Sequence, residues 1–268
     1  MAIFVTELQY TKMIFHYHNT PIHYHKQGTG PVIVMLHGFL ESSTMWQKIA
    51  AVLSKKNTVL MVDLPGFGQS GVPNKTLTME AMATIVCEVL AFENFKSATL
   101  LGHSMGGYVA LAFGELFPKK LDKLILLNSS PTPDNASRKE NRDRALTIID
   151  KNKDAFITMA IGNLFNAEEK SKHTLAIKGL KNEALHISAN GVTAAIKAMR
   201  DRKDRRTLLK NIPCEKHIIA GALDLIIPFQ DIVRVSKQTN TTLHSIDSGH
   251  MSWLTNGPEI IALLQGIV

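Results

Sequence analysis

Six short runs rich in Val, Ile and Leu, at residues 32–36, 58–62, 98–101, 121–127, 217–220 and 242–246, recur between stretches of helical periodicity. Runs of that length are too short for typical helices, and an unbroken apolar run suits a strand covered on both faces. Strands alternating with helices imply a mostly parallel sheet, because each crossover lays a helix over one face. Helical patterns at 44–54, 78–92, 104–117 and 258–266 supply such covers, and Pro118 stops the third. Ahead of them, residues 12–18 and 21–26 alternate around Asn19 and Thr20 and read as an antiparallel hairpin.

One interval breaks the rhythm. Between Asn128 and Pro213 there is no convincing strand but there are helical stretches near 136–151, 155–164, 168–180 and 192–201. This predicts a core of residues 1–130 and 207–268 with a helical cap, 131–206, inserted into it. A length of 268 residues and a hydrophobic fraction of 45% suffice for one α/β core of this kind. The charge supports the same division. From Pro131 to Lys210 there are 17 Lys and Arg against 10 Asp and Glu, whereas the rest of the chain is balanced, so the net charge of +7 belongs to that segment. No helix-turn-helix, zinc-finger or RNA-binding aromatic pattern accompanies it, and a nucleic-acid partner is not expected. Arg200, Arg202, Lys203, Arg205 and Arg206 read as a solvated face, with steering of anionic substrates as the alternative.

Residues 1–10 lack a basic start and an apolar segment of signal length, and the longest apolar runs are strand-sized, so no membrane partner and a cytoplasmic location are expected. Cys87 and Cys214 read as buried thiols in a reducing compartment. His16, His18, His23 and His25 alternate along the hairpin. No carboxylate or cysteine spacing completes a metal site around them, and no metal is expected.

The chemistry gathers at strand ends. After the run ending at Leu101 comes Gly102-His103-Ser104-Met105-Gly106-Gly107 and a helix, a G-x-S-x-G in the strand–turn–helix setting that such a motif requires. The tight turn lifts the serine hydroxyl out of the sheet and leaves no room for side chains two residues before and after it. Ser104 also sits where unpaired helix amides favour an oxyanion. His37-Gly38-Phe39 follows the run 32–36 and opens a loop whose Phe39 amide can join that of Met105 in an oxyanion hole. Asp224 follows the run 217–220 and His250 follows the run 242–246, giving the order Ser, Asp, His at the edge of a parallel sheet where sites form. Asp247, at the tip of the histidine's own strand, is the rival acid, disfavoured because it would have to fold back to reach the imidazole. Phe39, Leu40, Met45, Trp46, Met105, Met251 and Trp253 flank this machinery. Leu40, Trp46, Met251 and Trp253 are candidate lining of an apolar substrate pocket, although ordinary core explains them equally well.

Taken together, the G-H-S-M-G-G turn, the His-Gly loop and Asp63-Leu64-Pro65-Gly66-Phe67-Gly68-Gln69-Ser70 resemble the α/β-hydrolase superfamily, and most closely its small capped serine esterases and lactonases. The resemblance implies an α/β-hydrolase fold: a mostly parallel twisted sheet with an N-terminal antiparallel hairpin, helices on both faces and an inserted cap. It makes Asp63 a turn residue and His103 a packing residue. The acidic residue and proline that the family often carries just after the histidine are replaced here by Thr255-Asn256-Gly257-Pro258-Glu259, which touches only a helix start. The implied activity is hydrolysis of a small, largely apolar ester or lactone by Ser104, Asp224 and His250, with no cofactor, by a monomer or homodimer. A carbon–carbon bond hydrolase and a receptor-like member with little turnover are the alternatives.

Overall fold

The computed structural model describes residues 10–268. The reading of residues 1–9 as lacking an export signal therefore lies outside the described residues.

The hairpin pairs β1 (Thr11–Tyr17) with β2 (Thr20–Gln27). The runs then become β3 (Val32–Leu36), β4 (Thr58–Val62), β5 (Ala98–His103), β6 (Leu121–Leu127), β7 (Glu215–Gly221) and β8 (Thr242–Ile246). Among the described residues they form one eight-stranded sheet in the order β1-β2-β4-β3-β5-β6-β7-β8, antiparallel at the hairpin and parallel from β4 to β8. The α/β-hydrolase fold expected from the sequence is the one observed.

Period-two alternation sorts each central strand between two cores. Val34 and Leu36 of β3 and Leu60 and Val62 of β4 face α2 (Met79–Phe92) and α3 (Met105–Leu116). Ile33, Met35, Val59 and Met61 face the opposite layer, where α1 (Gln47–Leu53) and the last helix, α11 (Gly257–Ile267), pack. Outside the interval between β6 and β7, two α-helices were not expected from the sequence. One is α9 (Phe229–Thr239), between β7 and β8; the other is the single turn α10 (Ser252–Thr255), directly after His250.

Between β6 and β7 the described chain holds helices and no strand. These are α4 (Ala136–Gly162), α5 (Ala167–Lys172), α6 (Thr174–Leu185), α7 (Ala189–Arg200) and α8 (Arg206–Asn211). The break expected between 136–151 and 155–164 is a kink inside α4 at Asn152 (φ −159°, ψ 87°), whose side chain accepts a hydrogen bond from Ala155 N at 2.9 Å and so caps the second half. Conversely, the single stretch expected at 168–180 is split at His173 into α5 and α6, and Asn166 and Glu169 form a capping box at the start of α5.

The basic residues of this region are mostly spent on structure. Arg205 is buried against Glu80 and Glu115, Arg206 pairs with Asp204, and Arg200 pairs with Asp143 and Asp201. Arg202 is buried beside Asp134 and lies over the Tyr108 ring at 4.1 Å. Of the five, Arg202 and Arg205 therefore do not form the solvated face expected of them. No described helix is long and apolar enough to cross a membrane, and no cluster of three or more metal-ligating side chains occurs among the described residues.

Candidate active site

Ser104 stands between β5 and α3 with φ +48° and ψ −111°, a backbone conformation unfavourable for a residue bearing a Cβ. The turn is held from three sides: Ser104 N donates to Leu127 O (3.0 Å), and Ser104 O accepts from Ser129 Oγ (2.7 Å) and Gly107 N (3.0 Å). Two glycines permit it by close approach. A Cβ on Gly102 would lie 2.4 Å from Gly106 O, and one on Gly106 would lie 2.2 Å from Leu36 O. The second contact also presses the start of α3 against the end of β3, bringing the Met105 amide alongside the His37–Phe39 loop. Neither Phe39 N–H nor Met105 N–H finds an acceptor among the described residues.

His250 Nε2 lies 3.0 Å from Ser104 Oγ, and its Nδ1 lies 2.8 Å from Asp224 Oδ2. Both His250 and Asp224 are buried. Asp224 Oδ1 accepts the amides of Ile226 (2.7 Å) and Ile227 (2.9 Å), while Oδ2 also accepts from Asn128 Nδ2 (3.1 Å). Burial opposes ionisation of this carboxyl, but the facing imidazole and these donors outweigh it and hold the pKa below the ordinary aspartate range. Asp247 is exposed and makes no contact with the imidazole; its backbone carbonyl accepts from Asn256.

Residues without a motif complete the site. Asn128, in a left-handed conformation just after β6, bonds Asp224, Gly249 O (3.2 Å) and Ser252 Oγ (2.5 Å), so it fixes both the acid and the histidine loop. Glu41 Oε2 accepts from Gly38 N (2.6 Å) and from His103 Nδ1 (2.9 Å), and its Oε1 accepts from Trp253 Nε1 (3.2 Å). His103 Nε2 then donates to the backbone carbonyl of His250 at 3.1 Å. Burial pushes the His103 pKa down, but the Glu41 carboxylate and these bonds prevail and raise it. Burial likewise pushes Glu41 up, and the pairing brings it below its ordinary value. His103 is therefore one half of a buried ion pair, beyond the packing role that the resemblance implied. Its sequence signal was slight: one glutamate three residues after Gly38 in an otherwise apolar loop.

Asp63 is the expected turn residue. Its carboxylate accepts from Ser43 N (2.8 Å) and Gln69 N (2.9 Å). The helices between β6 and β7 reach the same loops through carboxylates. Glu169 of α5 accepts from Gly249 N at 2.8 Å, and Glu183 of α6 accepts from Ser42 Oγ and from Thr44 Oγ1 (2.9 Å).

A cavity of about 90 Å³ opens over Ser104 and His250. Phe39 and Leu40 line it, with Tyr108, Leu164, Met199 and Ile226. Three expected lining residues do not. Trp46 is fully buried in the core on the α1 face of the sheet because the short helix that carries it runs directly into α1. Met251 is buried in the other core, and Trp253 turns toward a groove between α1 and α11. Larger depressions, at the hairpin tip and in that groove, do not include Ser104. What sequence proximity missed is the contribution of α4, which supplies Arg138, Arg142 and Ala160 to the cavity wall.

Comparison with known proteins finds relatives of the chain as a whole. The family model described as alpha/beta hydrolase fold matches residues 31–256. A pimeloyl-[acyl-carrier protein] methyl ester esterase of Pseudoalteromonas atlantica is 31% identical over 215 residues, covering 75% of this chain and 79% of that protein. An uncharacterised protein of Mycobacterium tuberculosis is 37% identical over 102 residues, 38% of this chain, and the match spans only 30% of that relative's length. Among solved structures, a thermophilic esterase from Thermogutta terrifontis superposes with a TM-score of 0.88 at 28% identity, covering 96% of this chain and 97% of that one.

Proposed function

Since the chain belongs to the α/β-hydrolase fold family, we propose that it is a serine hydrolase that cleaves a carboxylic ester or lactone through an acyl-enzyme on Ser104. The observation that carries this reading is the continuous line from Ser104 Oγ through His250 to Asp224, with contacts of 3.0 and 2.8 Å.

In the proposed reaction, His250 Nε2 takes the Ser104 proton as Oγ attacks the carbonyl carbon. The carbonyl electron pair becomes an oxyanion facing the Phe39 and Met105 amides, whose lack of other acceptors leaves them available. Loss of one such donor costs about 10²–10³ in kcat in comparable sites. Asp224 fixes the tautomer and stabilises the imidazolium. The tetrahedral species then collapses, the alcohol leaves with the proton from His250, and water activated by the same imidazole releases the acid. This sequence requires no metal or organic cofactor. Residues 131–206 act as a cap over the site in this reading, supported by the contribution of α4 and α7 to the cavity wall. The ester assignment also draws on the esterase relatives.

A fluorophosphonate probe followed by peptide mass spectrometry tests the nucleophile, together with a panel of 4-nitrophenyl esters of increasing acyl length. Labelling at Ser104, lost along with ester turnover in Ser104→Ala, is the expected result. Stoichiometric labelling of another serine, or ester turnover that survives Ser104→Ala, overturns the assignment.

A further inference from the structure

Two guanidinium groups form part of the wall of the cavity that contains Ser104, and they differ in how far their charge is met. Arg142 donates through Nε to Asp134 Oδ2 at 2.5 Å. The same buried Asp134 lies 2.7 Å from Arg202 Nη1, so one carboxylate faces two cations. Arg138, in the first turn of α4, has no carboxylate within ion-pair distance among the described residues. Among the described residues its guanidinium makes one hydrogen bond, from Nη2 to the carbonyl of Ile226 at 2.5 Å. A guanidinium carries five N–H donors in a planar fork, so most of this one is uncommitted. Counted over Arg138, Arg142, Arg202 and Asp134, the local charge is +2. The two carboxylates nearest the reacting atoms do not offset it: Glu41 is paired with His103, and Asp224 with His250.

We infer that the substrate of this site carries a carboxylate, bound by the Arg138 fork with Arg142 behind it. This rests on the ester-hydrolase reading and deepens it. A largely apolar substrate, as the sequence implied, would dehydrate the Arg138 guanidinium while leaving most of its donors unmet, which costs free energy without return. A carboxylate accepts two parallel N–H bonds from such a fork and replaces the lost water. The cavity that Arg138 and Ser104 share is also lined by Leu40, Leu164, Met199 and Ile226, apolar side chains suited to a methylene chain. The cavity over Ser104 is smaller than the depressions at the hairpin tip and between α1 and α11, which favours a short chain. The substrate class is the half-ester of a short dicarboxylic acid, or a lactone bearing a carboxylate.

The test compares kcat/KM for the mono-4-nitrophenyl ester of glutaric acid with that for 4-nitrophenyl pentanoate, which has the same acyl length but no charge. The wild-type protein should favour the anion by at least about tenfold. Arg138→Gln should lower that ratio by about 10- to 150-fold, the range for a hydrogen-bonded charged group, and Arg138→Lys should fall between, keeping the charge but losing the fork. An independent readout needs no turnover: glutarate should slow fluorophosphonate labelling of Ser104 in the wild type and fail to do so in Arg138→Gln. A wild-type ratio near one, equal losses on both esters, or no glutarate protection of the wild type overturns the inference. Absence of labelling and of turnover on either ester instead overturns the hydrolase reading, so the two failures are distinguishable.

Discussion

Replacing Asp224 with Asn changes the site by one proton-bearing nitrogen and nearly nothing else. The carboxylate now accepts four bonds: from Ile226 N, Ile227 N, Asn128 Nδ2 and His250 Nδ1. The amide oxygen of Asn can take the Oδ1 position and keep both loop amides, so the turn after β7 survives. The amide nitrogen then takes the Oδ2 position and faces two former donors. Asn128 loses an acceptor, at a cost in stability of about 1–3 kcal/mol. His250 can satisfy the new donor only by presenting Nδ1 as an acceptor, which moves its proton to Nε2. That proton points at Ser104 Oγ, 3.0 Å away, where an acceptor is needed. Wrong tautomer and lost imidazolium stabilisation together predict a fall in kcat of about 10⁴, the value for the equivalent change in a chymotrypsin-type triad. This is about 5.4 kcal/mol of activation free energy. The assay is kcat on 4-nitrophenyl acetate for Asp224→Asn and Asp247→Asn, with circular dichroism melts to establish folding. Asp247 is exposed and away from the imidazole, so its variant should stay within about threefold of wild type. A folded Asp224→Asn retaining a tenth of the wild-type kcat would refute the reasoning, as would a deeper loss in Asp247→Asn.

The strained nucleophile predicts a stability gain on its removal. Strain of about 1–3 kcal/mol at φ +48° is relieved in Ser104→Gly, offset by up to about 1 kcal/mol of glycine entropy, so the melting temperature should rise by about 2–4 °C for each net kcal/mol while labelling disappears. A lowered melting temperature contradicts stored strain. The Glu41–His103 pair predicts a pH window. Glu41, lowered in the fold, contributes stability above about pH 4.3 and loses it as pH falls through its folded value. His103, raised in the fold, contributes below about pH 6.5 and loses it as pH rises through its folded value. Urea unfolding of Glu41→Gln, His103→Asn and the double variant should give a coupling energy that is larger at pH 5.5 than at pH 9, with single losses of about 3–5 kcal/mol at the lower pH. A coupling independent of pH defeats the ion-pair assignment.

The parts of this molecule legible in the sequence are those in which chemistry and chain order coincide. The apolar runs mark strands because strands buried on both faces admit little else, and Ser104, Asp224 and His250 each follow such a run. Helix α9 was invisible because its inner face is built from Ile232 and Val235 together with Ser236 and Thr239, which read as polar although they are buried. The pocket was misjudged for a related reason. Trp46 is close to Leu40 in sequence, yet the short helix that ends at it carries it to the other side of the sheet, while Arg138 joins Ser104 in the cavity wall from the far end of a loop. Asn128 follows a strand without a motif, and nothing in its neighbours marks the left-handed turn that aims it at both Asp224 and Gly249.

The carboxylates of Glu169 and Glu183 have a consequence for how anything reaches Ser104. They moor α5 to the amide before His250 and α6 to the hydroxyls beyond the His37 loop, so lifting those helices would strip partners from both sides of the reacting atoms. The first half of α4 is tied to the loop that carries Asp224 through Arg138 Nη2 and the carbonyl of Ile226, and to α7 through Asp143 and Arg200, and it meets its second half at the Asn152 kink. Any displacement of that half of α4 at the Asn152 kink would take Arg138 and Arg142 out of the cavity wall as well.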